Sequence, residues 1–270
     1  MIGGIIGDIA GSVFEHSDIK IKKLVFYEEG SHYSDDTVLA MAVADKLINK
    51  KDYASAIKSW ARRYPDAGYG KFFKKWMVEE GDTPAVSFGN GAAMRVAPVG
   101  YWFATLEEVL QEAKESAKPT HYHPDSWTGA QAIAGAVFLA RQRKSKPEIK
   151  AFIESISDYD LNVTLQHHID TSVFDSTCKV TVPQAIIAFL ESNDFADALE
   201  KSISIGGDTD TIGCMAGAIA EAYYKHIPEE LLIKTVALLP EEMKEVLKGF
   251  YNEVDVEWIN LKMFPNSYRD

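Results

Sequence analysis

Two segments of this chain place glycine at every fourth residue of sequences with helical character. Gly3, Gly7 and Gly11 share one face of a helix near the N-terminus, and Gly213 and Gly217 share one face of a helix near the other end. A glycine inside a helix costs about 1 kcal/mol relative to alanine. Close approach of another backbone is the simplest feature that offsets this cost, so we expect both helices to be central and tightly packed.

Helical periodicity dominates the rest of the chain, and we expect an all-α fold. Capping-box spacings mark two helix starts, at Thr105 with Glu108 and at Ser145 with Glu148. Asp52 is the expected cap of a third helix. Helices are predicted over residues 37–51, 52–64, 105–117, 127–143, 146–156, 182–192, 228–239 and 240–254. Loops are predicted over residues 16–34, 80–98, 118–125 and 157–180.

The chain shows no sign of a boundary between domains. It contains no proline- or glycine-rich linker, no low-complexity tract and no repeat of fixed period. Thr181 is the expected start of the helix over 182–192, and the helices over 228–239 and 240–254 begin with proline in the first turn. We expect the aromatic-rich segment 60–76 to belong to the core. Residues 1–270 are therefore predicted to form a single domain.

The net charge of -12 and the pI of about 5.1 argue against a general nucleic-acid binder, which needs a basic face. A nucleotide-like ligand stays possible if backbone amides or a metal hold it. Cys178 and Cys214 form no metal or redox motif, and we expect Cys214 to be a buried thiol, as in a reducing cytoplasm. The apolar N-terminus lacks a basic segment and is interrupted by Asp8, so neither a signal peptide nor a membrane association is expected.

Two helix starts carry more polar side chains than a helix cap uses. One is Ser34-Asp35-Asp36-Thr37, and the other is Asp208-Thr209-Asp210-Thr211 after a glycine pair. Asp, Ser and Thr are preferred N-cap residues, so capping is one explanation for each segment taken alone. A cap, however, needs one such side chain, whereas each segment has four.

The other explanation is a metal site. If the two helix starts converge, each pair of carboxylates about 4 Å apart costs on the order of 4 kcal/mol at an effective dielectric near 20. Cations offset this repulsion, and oxygen ligands without His or Cys suit Mg²⁺, Mn²⁺ or Ca²⁺ better than Zn²⁺. Two clusters suggest two ions. The spacing in the sequence does not show that the clusters meet.

Six segments in this order resemble the ADP-ribosylglycohydrolase family. They are GDIAGSVFE (7–15), YSDDTVLAMAVADKL (33–47), SFGNGAAMRVAPVG (87–100), THYHPDSWTGAQAIAGAVF (120–138), TVPQAIIAFLES (181–192) and SIGGDTDTIGCMAGAIAEAYY (204–224). The resemblance implies a compact orthogonal bundle of helices with two divalent cations, Mg²⁺ or Mn²⁺, at the bottom of a cleft. It also implies a hydrolase that removes the ADP-ribose moiety of ADP-ribosylated protein by cutting an N- or O-glycosidic bond.

Site residues are carried over from the resemblance by position. The implied metal ligands are Ser34, Asp35, Asp36, Asp208, Asp210 and Thr211. The implied catalytic acids are Glu15, Asp35 and Asp36, without a decision on which one transfers the proton. The implied substrate-binding residues are Ser87, Phe88, Gly89, Asn90, Gly91, Met94, His121, Gly207 and Thr209. Asp8 is expected to be structural and to hold the first helix in place.

Two other functions stay open at this point. The same fold and ions could act on a free small molecule, such as another ADP-ribosyl or glycosidic substrate, or on a phosphate ester, with no modified protein involved. A non-catalytic relative could bind ADP-ribose without cutting it. The complete set of implied ligands favours an enzyme over a binding protein. The linked amino acid and the oligomeric state cannot be read from the sequence.

Overall fold

The computed structural model describes residues 1–15, 25–81, 83–254 and 256–264. Within these ranges the chain is all-α, as predicted, and its nearest approach to a sheet is an isolated antiparallel bridge between Gly89 and Thr177. The helices are α1 (Ile2–Gly11), α2 (Asp35–Asn49), α3 (Tyr53–Arg63), α4 (Lys71–Val78), α5 (Gly91–Met94), α6 (Ala97–Trp102), α7 (Leu106–Ala117), α8 (Pro124–Arg141), α9 (Lys146–Ile156), α10 (Leu165–Thr171), α11 (Cys178–Leu190), α12 (Phe195–Ser204), α13 (Thr209–Tyr224), α14 (Glu229–Leu238) and α15 (Glu241–Glu253). A 3₁₀ turn over Leu261–Met263 follows.

The glycine faces of α1 and α13 pack directly against each other, which confirms the prediction from their spacing. A Cβ atom added to Gly7 would lie 2.1 Å from the Gly213 carbonyl oxygen, and one added to Gly213 would lie 2.7 Å from the Gly7 carbonyl oxygen. The next pair repeats the arrangement, because Cβ atoms on Gly3 and Gly217 would lie 2.5 Å and 2.2 Å from the opposite carbonyl oxygens. Backbone contact at this distance excludes any side chain.

Around this pair, α11 and α12 pack against α13, and α8 contacts α13 as well as α5, α6 and α7. Both α1 and α13 are buried along almost their whole length. The C-terminal end of α1 meets the start of α13, where a Cβ atom on Gly11 would lie 2.4 Å from the Thr209 carbonyl oxygen. This junction places Glu15, just beyond α1, near the acidic start of α13.

Local capping signals gave the correct starts of three helices. The Asp52 side chain accepts a hydrogen bond from the Ser55 backbone N–H, and both predicted capping boxes are formed. Pro228 and Pro240 precede α14 and α15 directly, as N-cap residues, so each helix begins one residue later than predicted.

The predicted start of the helix at residues 181–182 is wrong. This helix, α11, begins at Cys178 with Thr177 as its N-cap residue. Thr181 lies inside it and donates a hydrogen bond to the Thr177 carbonyl oxygen at 2.9 Å, the same i−4 carbonyl that a helical N–H uses. Pro183 is also internal, and the helix tolerates it close to its N-terminal turn, where few upstream carbonyls lose a partner.

Several short helices lie in segments that were predicted as loops or given no assignment. The predicted loops 80–98 and 157–180 contain α5, the start of α6, and α10, and the unassigned segments contain α4 and α12. The helix α8 begins at Pro124, earlier than predicted, because the His123 ring accepts a hydrogen bond from the Asp125 N–H. Helices of four to eight residues, such as α4, α5 and α10, give little periodicity, so the sequence pattern does not reveal them. Of the predicted loop 16–34, residues 16–24 lie outside the described ranges.

Three other expectations can be compared with the fold. Cys178 and Cys214 are both buried and unpaired. Trp60, Tyr69 and Trp76 are buried in the core, although Phe72 from the same aromatic segment is 79% exposed. No helix in the described part of the chain is both long enough and apolar enough to cross a membrane.

Candidate metal and ligand-binding site

The two polar helix starts, far apart in the sequence, meet in the structure. The Thr211 hydroxyl, in the first turn of α13, donates a hydrogen bond to Asp36 Oδ2 at 3.2 Å. The Ser34 hydroxyl, at the start of α2, donates to the same oxygen at 3.2 Å. The convergence that a shared metal site requires is therefore present.

Carboxylates gather at this junction in two overlapping groups. Oxygen atoms of Asp8, Asp36 and Asp210 lie within 4.8 Å of one another, and so do oxygen atoms of Glu15, Asp208 and Asp210. Asp210 belongs to both groups. All four aspartates are buried, whereas Glu15 is half-buried.

This cluster is costly to keep ionised without a counter-ion. Burial, and after it the charge of Asp210, raises the pKa of Asp35, Asp36 and Asp208 well above the usual range for aspartate. Asp36 Oδ1 is buried and has no hydrogen-bond partner among the residues that the structure describes. A buried carboxylate oxygen without a donor, surrounded by further carboxylates and hydroxyls, fits a hard divalent cation.

Helix capping explains only a few of the polar side chains at the starts of α2 and α13. The Ser34 hydroxyl caps α2 by accepting from the Asp36 N–H at 3.2 Å. Asp208 occupies the N-cap position of α13, yet its side chain forms no capping hydrogen bond. Its carboxylate instead accepts from the Asn90 side-chain amide at 2.7 Å. The surplus carboxylates therefore have another role.

Asp8 differs from the other acids in its hydrogen bonding. Its carboxylate accepts from the Ser34 N–H at 3.0 Å, from the Thr37 N–H at 3.1 Å and from the Thr37 hydroxyl at 2.5 Å. Burial and the charge of Asp210 nevertheless raise its pKa to about 7. Asp8 thus caps α2 from a distant helix and fixes the position of Ser34, in agreement with its expected structural role.

A cleft of about 470 Å³ opens above the acidic cluster. Most of the implied site residues line it, namely Glu15, Ser34, Asp35, Asp36, Ser87, Gly89, Asn90, Gly91, Met94, His121, Asp208, Asp210 and Thr211. The cleft is also lined by residues that the sequence interpretation did not assign to the site, among them Asp66, Lys71 and Thr120. The glycines at 68 and 70 were the available signal, since a glycine-flanked loop lets a backbone come close to a ligand.

Three implied ligand contacts do not line the cleft. The Phe88 side chain is 55% exposed and packs edge-on against the His123 ring at 5.8 Å between centroids. Thr209 is fully buried, and its hydroxyl donates to the Gly11 carbonyl oxygen at 2.9 Å. Gly207 has a φ of 77°, which suits glycine, and it lies against Val173 and Phe174.

The loop Ser87–Gly91 is anchored to the protein by several hydrogen bonds. The Ser126 hydroxyl of α8 lies 3.0 Å from both the Ser87 and the Gly89 carbonyl oxygens. The Cys178 N–H donates to the Phe88 carbonyl oxygen at 3.1 Å, and the Asn90 N–H donates to Ser176. Because these carbonyl groups are engaged by the protein, the loop is ordered before any ligand arrives.

Comparison with known proteins agrees with this geometry. The family model for ADP-ribosylglycohydrolase matches residues 1–258. ADP-ribosylhydrolase ARH3 from Homo sapiens is 27% identical over 336 aligned positions, which cover 95% of this chain and 90% of that protein. ADP-ribosylarginine hydrolase Tri1 from Pseudomonas putida is 23% identical, with 83% of this chain and 69% of that protein covered.

A solved structure described as an ADP-ribosylglycohydrolase-related protein complex has the same fold, with a TM-score of 0.69. The match is 22% identical in sequence and covers 94% of this chain and 95% of that chain. The family model spans residues 1–258, and this range includes the starts of α2 and α13, where the acidic cluster lies. The chain therefore belongs to the ADP-ribosylglycohydrolase family.

Proposed function

We propose that this protein is a metal-dependent hydrolase that removes ADP-ribose from modified protein side chains. The observation that carries the proposal is the junction of α2 and α13, where carboxylates from distant segments meet at the base of a cleft. The names of the relatives describe ARH3 as an ADP-ribosylhydrolase and Tri1 as an ADP-ribosylarginine hydrolase. Family membership alone leaves the linked amino acid open.

The residues suited to hold two divalent cations, Mg²⁺ or Mn²⁺, are Ser34, Asp35, Asp36, Asp208, Asp210 and Thr211. Asp210 belongs to both carboxylate groups, so it could contribute an oxygen ligand to a cation bound in either one. When bound, such ions supply charge neutralisation and Lewis-acid activation of a water molecule. Ca²⁺ is disfavoured for this role, because it prefers more and longer oxygen contacts than Mg²⁺.

The loop Ser87–Gly91 is suited to the diphosphate of ADP-ribose. Its carbonyl groups are tied to α8 and α11, and its glycines leave the backbone open to close approach. The Gly89 and Asn90 N–H groups donate within the protein, to Ser87 Oγ and to the Ser176 carbonyl oxygen. We therefore assign the phosphates to the other backbone N–H groups of the loop, which can bind an anion without a basic side-chain cluster. An acidic protein can therefore hold an anionic ligand at this wall of the cleft.

Of the six acids at the junction, Glu15 and Asp35 are the half-buried ones, and both line the cleft. We assign the proton transfer to one of these two, because a group that exchanges protons with water and with the leaving group needs access to both. Glycosidic bond cleavage passes through a transition state with oxocarbenium character, and nearby carboxylates stabilise that positive charge. The buried carboxylates of Asp36, Asp208 and Asp210 line the cleft and are suited to this role.

The test is hydrolysis of arginine-linked and serine-linked ADP-ribosyl peptides, measured side by side with Mg²⁺, with Mn²⁺ and with EDTA. We expect metal-dependent release of ADP-ribose from one of them. Asp36→Asn should abolish release, whereas Asp158→Asn, with a side chain 78% exposed, is the matched control and should retain it. Release that persists after complete metal removal would contradict the metal-dependent mechanism.

If neither peptide is cleaved while ADP-ribose still binds, the protein is a binding relative or acts on a different glycoside. The free thiols of Cys178 and Cys214 suit the reducing cytoplasm, and we propose that compartment as the place of action. Localisation of a tagged full-length protein by microscopy or fractionation checks this.

A further inference from the structure

Arg95 is a buried cation beneath the cleft. Its side chain is 0% exposed, and its Nη2 donates to the Ser116 carbonyl oxygen at 2.7 Å and to Thr120 Oγ1 at 2.8 Å. Its Nε and Nη1 atoms have no hydrogen-bond partner among the described residues. Burial lowers the pKa of Arg95 to about 9, so the guanidinium stays charged at neutral pH. Burying a charge with unpaired N–H groups is unfavourable, so Arg95 needs a role beyond its position at the C-terminal end of α5.

Thr120 connects this cation to the cleft. Thr120 Oγ1 lies 2.7 Å from His121 Nδ1. A guanidinium can only donate, so the Thr120 oxygen accepts from Arg95 and keeps its own proton for another acceptor. The acceptor within reach is His121 Nδ1. The Thr120 proton and His121 Nδ1 are paired with each other when Nδ1 is unprotonated, which puts the proton of the neutral imidazole on Nε2.

His121 presents this Nε2 atom beside the loop Ser87–Gly91. A Cβ atom added to Gly91 would lie 2.8 Å from His121 Cε1 and 2.9 Å from Nε2, so the ring rests directly on the Gly91 backbone. The side chain lines the cleft and is nearly buried. Burial, and after it the charge of Arg95, lowers the pKa of His121 to about 3, which keeps the ring neutral. A neutral ring with a fixed tautomer offers one N–H donor.

We propose that Arg95 is a positioning residue that acts through Thr120 to hold His121 as an Nε2–H donor toward an oxygen atom of the ligand in the cleft. The inference rests on the proposed function only for the identity of that ligand, ADP-ribose. The phosphates and riboses of ADP-ribose carry oxygen atoms that can accept a hydrogen bond from an imidazole N–H. The tautomer itself is a property of the free protein and needs no ligand.

The first measurement is ¹⁵N NMR of the histidine rings in the full-length protein loaded with diamagnetic Mg²⁺. The His121 signals are assigned by their loss in His121→Gln. We expect the wild-type ring to be neutral, with the proton on Nε2, from pH 6 to pH 8. A wild-type ring protonated on Nδ1, or on both nitrogens, overturns the proposal whether or not the protein binds ADP-ribose.

The second measurement uses Thr120→Val, which keeps the side-chain shape and removes the hydroxyl, with Thr120→Ser as the matched variant that keeps it. We expect that in Thr120→Val the ring proton of His121 is no longer confined to Nε2 and that ADP-ribose binds about tenfold more weakly, as for one lost hydrogen bond. Thr120→Ser should retain both the Nε2–H tautomer and the affinity. In the His121→Ala background, Thr120→Val should cause no further loss of affinity. A structural role alone predicts an equal loss in both backgrounds, and that result overturns the proposal.

The two proposals fail in different ways. If wild type does not bind ADP-ribose by calorimetry, the proposed function fails, whereas the tautomer measurement still decides the role of Arg95. If Thr120→Val does not fold, Arg95→Lys replaces it, because the shorter ammonium loses the planar fork that reaches Ser116 and Thr120 together. A retained Nε2–H tautomer and wild-type affinity in a folded Arg95→Lys overturns the proposal.

Discussion

The Asn90 side-chain amide donates a hydrogen bond to Asp208 Oδ2 at 2.7 Å, and so connects the loop Ser87–Gly91 to the acidic cluster. The same amide lies 3.2 Å from the Thr181 hydroxyl, so its orientation is fixed from a second helix. Asn90 was implied as a substrate contact, and it does line the cleft. The structure adds that it orients a carboxylate at the start of α13.

Replacing Asn90 should therefore weaken metal binding as well as ligand binding. Residues that orient metal ligands typically contribute 10–100-fold to metal affinity or activity. We expect Asn90→Ala to reduce Mg²⁺ affinity about tenfold, measured by titration of the metal-free protein in a calorimeter. Asn162→Ala, at an exposed and hydrogen-bonded asparagine, is the matched control. Unchanged Mg²⁺ affinity in Asn90→Ala would show that the contact with Asp208 has no such role.

A second prediction concerns stability without metal. Asp36 and its neighbours repel one another in the metal-free protein, and removing one charge relieves that repulsion. We expect Asp36→Asn to melt at a higher temperature than wild type in EDTA, with a shift of about 2–4 °C for each kcal/mol gained. The variant should gain little on Mg²⁺ addition, whereas wild type should gain much.

Differential scanning fluorimetry with and without Mg²⁺ measures both effects, and Asp158→Asn again serves as the control. A variant that melts below wild type in EDTA would mean that Asp36 stabilises the fold rather than a cation. Full hydrolytic activity in Asp36→Asn would count against the metal site itself.

Local patterns in the sequence were enough to predict the central helix pair and the polar helix starts. The glycine spacing of α1 and α13 is a local signal with one simple cause, and the structure shows that cause as backbone contact between Gly7 and Gly213. The excess of acids at residues 34–37 and 208–211 was equally visible. Their meeting was not, because the position of one helix start relative to another depends on the packing of the whole chain.

Other features depend on tertiary contacts and gave weak signals or none. A single arginine in an apolar segment does not indicate a buried cation, and the contacts of Arg95 come from the end of α7 and from Thr120. Thr181 resembled a helix cap, but hydrogen bonds to Ser176 and Phe88 set the start of α11 further upstream. Thr209 resembled its polar neighbours, yet its side chain faces α1 instead of the cleft.

The third prediction concerns acid stability. The pKa of His121 is lowered to about 3 by burial and then by Arg95, while an unfolded histidine titrates near 6.5. Between these values the unfolded chain binds a proton that the folded protein does not, so the free energy of unfolding falls as the pH drops from about 6.5 to about 3. His121→Gln removes this contribution, and we expect its stability to fall less steeply over that range.

Urea unfolding of wild type and His121→Gln at intervals across this range measures the difference. The aspartates titrate in both proteins, so the comparison isolates the histidine. His226→Gln, at an exposed ring, is the matched control. Parallel stability curves for wild type and His121→Gln would contradict a lowered pKa.

The last prediction tests the contact between α1 and α13. A methyl group on Gly7 would lie 2.1 Å from the Gly213 carbonyl oxygen and 2.8 Å from the Cys214 nitrogen, which are backbone atoms that cannot rotate away. We expect Gly7→Ala to lower the free energy of unfolding by about 3 kcal/mol or more, at the upper end for overpacking. Because α1 carries Asp8 and precedes Glu15, Mg²⁺ affinity should fall as well.

Gly249→Ala provides the matched control at a helical glycine in α15. A methyl group there meets only the end of the Ile48 side chain at 3.7 Å, an ordinary contact. Alanine has the higher helix propensity, so we expect this variant to be more stable than wild type by up to about 1 kcal/mol. The same substitution should thus have opposite signs at the two sites in chemical denaturation. A stable Gly7→Ala with wild-type Mg²⁺ affinity would show that α1 and α13 do not require backbone contact to form the site.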